Sequence, residues 1–448
     1  MIVPPPRSAP APRASLLRRE LGRWDLTAIG VNQVIGSAVF VMPAALAANA
    51  GAWSPWIVAA VGLGSMLIAL SFAEVSSRFE STGGPYLYTR AAFGRFPAFQ
   101  VGWLLWFTRA ASWASVISVL VLSLGFYFPG VTAGWPRAAV IAGTIGVLAF
   151  INIRGIRQSS LVVNAFTIGK LTPLVMFILV GLFSMSPAVL SISETPALTD
   201  VSATALLLIF AFGGYEVVPV PAGEARDPRT AVPFALVMTL IVVTVVMVLV
   251  QVVALGTYPD LGSSKTPLAD ASGQIMGPLG AAMMTFGAVV STTGNNMGQA
   301  LSGSRNLFAL AEQGDLPAVF ARVHPRFRTP IVAILVTSGV ALVLALTGTF
   351  VKLATASAIS RLVVYVATCA STLRLRTPAF DGQVAPATFI VPLGPLIPLA
   401  AIAISLSILA GASAAQLTGG AWAIAAGAVL YLIAIRGRSR ITREESVQ

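Results

Sequence analysis

Apolar stretches of about 20 residues, the length needed to cross the ~30 Å hydrocarbon core of a bilayer, recur along the whole of this 448-residue chain. They fall at 25–49, 53–77, 97–126, 137–153 and 159–185, then at 202–221, 231–257, 279–309, 330–347 and 352–373, with two more at 390–412 and 419–435. A water-soluble fold is excluded, because 56% of the residues are hydrophobic and only 10% are charged, against about 25% charged in an ordinary soluble domain. The expected fold class is an all-α polytopic membrane protein with twelve transmembrane helices.

An even number of spans puts both termini on one side, and the basic residues choose which. Of the 28 Lys and Arg residues, 22 lie in one set of loops and tails, whereas the opposite loops hold only Arg137, Lys265 and Lys352. Both termini are therefore expected in the cytoplasm, in a protein integral to the plasma membrane. Topology also accounts for the net charge of +12, so no nucleic-acid partner is expected. The single cysteine, Cys369, sits in an apolar run and leaves neither a disulfide framework nor a Cys/His metal pattern. No cofactor or metal is expected. Residues 1–23 are rich in Pro and Arg and lack an apolar h-region, so they read as a disordered cytoplasmic tail rather than a cleaved signal.

Two spans carry interruptions that lipid would punish. A backbone group without a partner in hydrocarbon costs several kcal/mol, so an unwound helix persists only where it is buried in protein or lines a cavity. Span 1, AIGVNQVIGSAVFVMPAALAANAG, is interrupted by Asn32, Gln33, Gly36, Ser37 and Pro43. Span 6, LLLIFAFGGYEVVPVPAGEARDP, is interrupted by Gly213, Gly214, Glu216, Pro219 and Pro221. Gly and Pro also serve as packing and kink residues in membrane helices, but here the two breaks open successive five-span sets. That placement fits a five-plus-five inverted repeat with its site at the midplane. Amides freed at a half-helix N-terminus suit a carboxylate and freed carbonyls suit an ammonium, so a zwitterion fits both.

Several stretches together resemble the amino acid, polyamine and organocation (APC) superfamily with its LeuT-type fold: IGSAVFVMPAALA (35–47), AEVSSRFESTGGPYLY (73–88), GKLTPLVMFILVGLF (169–183), FAFGGYEVVPVPAGEARDPRTAVP (210–233) and SGSRNLFALAEQGDLPAVFARVHPRFRTP (302–330). The resemblance covers nearly the entire chain. It implies a first repeat at 24–185, a second, inverted repeat at 186–376, helices 11 and 12 within 377–436 and a cytoplasmic tail at 437–448. It also implies that Ile35, Gly36, Ser37 and Ala38 hold a substrate carboxylate, and that Phe210, Ala211, Phe212 and Gly213 hold the amino group.

Lys170 lies about eleven residues inside span 5, where a bare ammonium needs a partner or a lowered proton affinity. Proton-coupled members that resemble this sequence place a span 5 lysine where sodium-coupled relatives bind a cation, which assigns proton coupling to Lys170. The plainer reading is a lysine snorkelling to the cytoplasmic face. Glu216, just after the second break, is a further candidate for proton coupling, for pairing with a substrate ammonium or simply for tying span 6 to a neighbour. Asn295 and Asn296, in the polar run STTGNNMGQALSGS, and Tyr215 are candidates for the pathway, Tyr215 as part of an aromatic lid with Phe210 and Phe212. Arg109 and Arg361 also lie near mid-span. Their partners are not visible from the sequence; the plain reading is hydrogen bonding to backbone carbonyls or Glu74, favoured for Arg361. STGGPYLY reads as a cytoplasmic loop near the inner gate, with a turn at Gly83, Gly84 and Pro85.

The function these readings favour is proton-coupled symport of a small neutral amino acid by alternating access, in a monomer or homodimer. The alternatives are an amino acid/amine exchanger and an amino-acid sensor that does not transport. A membrane enzyme would need a clustered acid, base or metal set, and a channel would need charge rings or a carbonyl filter; the sequence offers neither.

Overall fold

A computed structural model describes residues 17–125, 128–186, 195–347 and 350–445, and all its regular structure is helical apart from isolated β-bridges. Fourteen α-helices follow in order among these residues: α1 (Arg23–Val34), α2 (Ala38–Ala50), α3 (Ser54–Ser76), α4 (Pro85–Phe93), α5 (Arg95–Gly125), α6 (Gly134–Arg154), α7 (Ile156–Ser184), α8 (Leu198–Phe212), α9 (Pro228–Thr257), α10 (Pro267–Glu312), α11 (Ile331–Thr347), α12 (Phe350–Arg374), α13 (Leu396–Ala410) and α14 (Ala414–Glu445). Seven helical stretches are long and apolar enough to cross a bilayer, and α11 and α13 are shorter apolar helices. The chain is a multi-pass membrane protein.

Prolines open α3, α4, α9 and α10 at their first or second position, where a missing N–H costs nothing and a fixed φ favours the helix. Gly277, with φ of 67° and ψ of −165°, bends α10 ahead of Pro278, so a short leading helical segment meets the long apolar part across a kink. At the centre stands α5, 83% of whose apolar stretch is buried, against 17% for α14 at the rim. α5 packs on α10, α11 and α12, α7 packs on α10, and α3 packs on α9. Large apolar side chains such as Phe183, Leu279 and Trp422 face outward, 92%, 81% and 76% exposed, as a lipid-facing surface requires.

Three sequence expectations are altered at their edges. Residues 1–16 of the expected disordered tail lie outside the described residues, but its last part is packed: Leu17 and Leu21 are 5% and 1% exposed. The stretch read as a loop at 81–88 leads directly into helix α4. The C-terminal tail expected from residue 437 is helical as far as Glu445.

Candidate functional site

α1 ends at Val34 and α2 begins at Ala38, so the break expected in span 1 lies at Ile35, Gly36 and Ser37. Helix ends leave carbonyls without partners behind the break and amides without partners ahead of it. The carbonyls are met by side chains from two distant helices. Lys170, on α7 and 0% exposed, donates through Nζ to the carbonyl oxygens of Ile35 at 2.7 Å, Asn32 at 3.0 Å and Ser291 at 3.3 Å. Three carbonyls match the three N–H donors of an ammonium. No ion pair among the described residues involves Lys170.

Helix α10 supplies the rest. The Ser291 hydroxyl lies 3.2 Å and 3.0 Å from the carbonyls of Ile35 and Gly36, and Asn295 donates to the carbonyl of Gln33 at 3.0 Å. In return Asn32 and Gln33 donate to the carbonyls of Gly294 and Asn295 at 2.6 Å and 3.0 Å. Gly294 and Gly298 permit this approach, since a Cβ on either would collide with the Asn32 or Gln33 side chain. Within this otherwise buried stretch Gly36, Ser37 and Ala38 remain partly accessible, at the positions where α2 presents its N-terminal amides.

The second break follows α8. Ala211 and Phe212 are buried in its last turn, the Phe210 side chain lies outside the described residues, and the chain leaves the helix at Gly213 and Gly214. Gly214 has φ of +133°, a region that side chains disfavour, and a Cβ there would stand 2.8 Å from the carbonyl carbon and oxygen of Gln33. The two breaks therefore touch, backbone against backbone.

Glu216 sits in the turn beyond them, 0% exposed, and both its oxygens are engaged. Oε1 lies 2.6 Å from Arg109 on α5 and 3.0 Å from Nε of Arg361 on α12. Oε2 accepts the Gly214 amide and the Tyr365 hydroxyl, each at 2.8 Å. Glu74, weighed in the sequence as a partner for these arginines, is bound instead to Arg376, at 2.5 Å and 2.6 Å, and to the Val391 amide at 2.8 Å. Glu216 does not meet Lys170; it ties the span 6 break to α5 and α12. Tyr215 stacks on Tyr365 with ring centroids 5.4 Å apart and packs edge-on against Phe72, as a buried wedge. Asn296 donates to the Thr292 carbonyl of its own helix and does not reach either break.

The described start of the chain joins a buried network that seals its end of the helix bundle. The Glu224 carbonyl accepts the amides of Glu20 and Leu21, both at 2.9 Å, and the Arg226 amide donates to Leu21 at 3.0 Å. The Glu224 carboxylate receives Arg305 at 2.9 Å and 3.0 Å, and Arg305 also reaches Asn152. Asp25 accepts from Ser160 and Asn164 on α7, at 3.1 Å and 2.7 Å. Beside α4, Asp315 holds Arg90, Arg95 and Tyr86 at 2.8, 2.7 and 2.6 Å. Burial and this carboxylate push the Tyr86 phenol above its ordinary range.

Sequence reasoning did not single out Ser291, Asp25 or Glu224. Ser291 is the first residue of the polar run noticed in span 8, and its helical spacing of four from Asn295 was the available signal. Asp25 and Glu224 are acids at span ends with no local mark of their partners.

A family of proteins described as amino acid permeases matches this chain over residues 21–435. The serine/threonine exchanger SteT of Bacillus subtilis is 29% identical over 411 residues, which cover 88% of this chain and 91% of that protein. The branched-chain amino acid permease BcaP of the same organism is 28% identical over 342 residues, 71% of this chain and 72% of BcaP. An uncharacterized transporter of Mycobacterium tuberculosis is 31% identical over 367 residues, 80% of this chain and 81% of its own. These are transporters rather than enzymes, and with a family match of that extent the chain belongs to the amino acid permeases of the APC superfamily.

Proposed function

We infer that this protein carries amino acids across the plasma membrane by alternating access, with proton coupling through Lys170. The observation that carries this reading is the set of three carbonyls around Lys170, two of them at the span 1 break. A protonated lysine ties α7 and α10 to the end of α1; a neutral one has a lone pair where the third N–H was and releases part of that hold. Proton loss thus loosens the element whose amides, at Ser37 and Ala38 beside Gly36, take the substrate carboxylate, while the carbonyls at the end of α8 take its amino group; the Gly36 amide itself is held by the Val34 carbonyl at 2.9 Å. Glu216 serves as a brace and not as a second proton carrier, because both its oxygens are already engaged.

The architecture proposed with it is a LeuT-type arrangement of twelve spans, with inverted repeats at 24–185 and 186–376 and both termini in the cytoplasm. The sealed end is then the cytoplasmic one.

Exchange is the second reading, and it is favoured by the similarity to SteT, a serine/threonine exchanger. Uptake of radiolabelled amino acids into proteoliposomes, with and without an inward proton gradient, separates the two. Accumulation that needs the gradient and is lost in Lys170→Ala supports symport. Uptake that ignores the gradient but needs internal amino acid establishes exchange, and full gradient-driven uptake by the variant refutes the role of Lys170.

A further inference from the structure

Arg109 has more hydrogen-bonding capacity than its surroundings use. It is 1% exposed, and one terminal nitrogen is committed to Glu216 at 2.6 Å. Its Nε and its other terminal nitrogen have no partner among the described residues. Glu216 has nothing further to offer, since Arg361, the Gly214 amide and the Tyr365 hydroxyl occupy the rest of the carboxylate. One helical turn along the same face of α5, Trp113 is 0% exposed and its Nε1–H is likewise unpartnered. A buried charged donor left without an acceptor is among the most unfavourable arrangements a protein interior can hold. Two such residues at successive turns, both donor-only, mark a place for an acceptor that the described residues do not supply.

That place adjoins the two breaks. Glu216, which Arg109 touches, follows Gly214 by two residues, and Gly214 rests on the Gln33 carbonyl at the end of α1. A molecule whose α-carboxylate and α-amine are held at the breaks lies beside the Glu216 turn that Arg109 touches.

We propose that Arg109 and Trp113 form the side-chain subsite of the transporter, and that the amino acid it takes bears an acidic side chain. The proposal rests on the amino acid transport reading above and replaces the expectation of a neutral substrate. A carboxylate is the acceptor that answers a guanidinium best, through charge-assisted hydrogen bonds, while the indole N–H supplies a neutral donor to a second oxygen. An amide of the same shape offers one acceptor oxygen and brings two donors into a site already crowded with them, so glutamine and asparagine are disfavoured.

The test uses the full-length protein in lipid nanodiscs, with thermal shift and competition binding for glutamate, aspartate, glutamine, asparagine and leucine. The acidic pair is expected to stabilise the protein and to compete roughly tenfold or more better than the amides. Arg109→Lys keeps a cation opposite Glu216 and is expected to lose most of that preference. Trp113→Phe keeps the packing and is expected to weaken glutamate several-fold relative to wild type, which keeps the proposal testable if the arginine variant does not fold. Amides or leucine binding as well as glutamate, or an unchanged preference in Trp113→Phe, overturns the subsite and assigns its donors to internal water while leaving amino acid transport intact. Failure of all five amino acids to bind overturns the subsite alone, since the uptake assay over a full amino acid panel is what tests the transport reading.

Discussion

The ammonium of Lys170 lies 2.7 Å from the carbonyl oxygen of Ile35, the residue at which the first membrane helix gives up its helical hydrogen bonding. A single side chain on α7 thus stands in for backbone donors that the break removes, and the energetic consequences of altering it are direct.

Replacing Lys170 by alanine leaves the carbonyls of Asn32, Ile35 and Ser291 without their Nζ donor. A buried polar group stripped of its partner costs about 1–3 kcal/mol. Ser291 and Asn295 still serve the Ile35 and Asn32 carbonyls, which puts the loss at the low end of the range for each. Thermal denaturation in detergent is expected to show a lower Tm, and gradient-driven uptake is expected to vanish even in protein that remains folded.

Gly214→Ala meets two obstacles at once. Its φ of +133° is disfavoured for any side chain, and the added methyl would sit 2.8 Å from the Gln33 backbone. Backbone strain of this kind costs on the order of 1–3 kcal/mol before the clash is counted. The variant should be less stable than wild type and should bind substrate weakly, because the clash pushes the two breaks apart. Normal stability with normal binding would contradict the contact between the breaks.

Glu216→Gln removes the carboxylate that Arg109 and Arg361 share. Breaking a buried pair by neutralising one member typically costs about 3–5 kcal/mol, since it strands the opposite charge. Chemical denaturation of the solubilised protein should reveal a loss of that size. A loss under about 1 kcal/mol, the range of exposed ion pairs, would mean that the cluster is open to water.

The sealed end can be opened selectively. Glu224→Ala deprives the fully buried Arg305 of its ion-pair partner while leaving the Glu224 backbone bonds to Glu20 and Leu21 in place. The population is expected to shift toward conformations open at that end. Maleimide labelling of a Ser160→Cys reporter measures this, because Ser160 is 4% exposed beside Asp25, and the native Cys369, at 0%, adds little background. Faster labelling in the Glu224→Ala background is the expected result, and an equal rate would remove Glu224 from the seal.

Much of the helical frame could be read directly from residues. The expected runs at 53–77, 159–185 and 231–257 correspond to α3 (Ser54–Ser76), α7 (Ile156–Ser184) and α9 (Pro228–Thr257), because long apolar stretches bounded by Gly, Pro and charge have one physical solution in lipid. The break at Gly36 was visible for the same reason. The partners of Arg109 and Arg361 were not, since α5, the turn at Glu216 and α12 are separated by 107 or more residues and only packing decides which acid meets which base. The packed segment at Leu17–Leu21 was read as tail because its composition is polar and proline-rich nearby, and its pairing with Glu224 and Arg226 has no local signature.

The distances along the chain between the groups that satisfy the span 1 break also constrain how the protein is made. The Ile35 carbonyl finds its lysine 135 residues later and its serine 256 residues later. During synthesis the first helix therefore enters the bilayer long before either donor exists, and an open turn in hydrocarbon without those donors is too costly to persist. Span 1 must be inserted as a continuous helix or kept sheltered by the insertion machinery, and it can unwind stably only when α7 and α10 arrive. The proposed transport site is in this sense assembled last, on the arrival of α7 and α10.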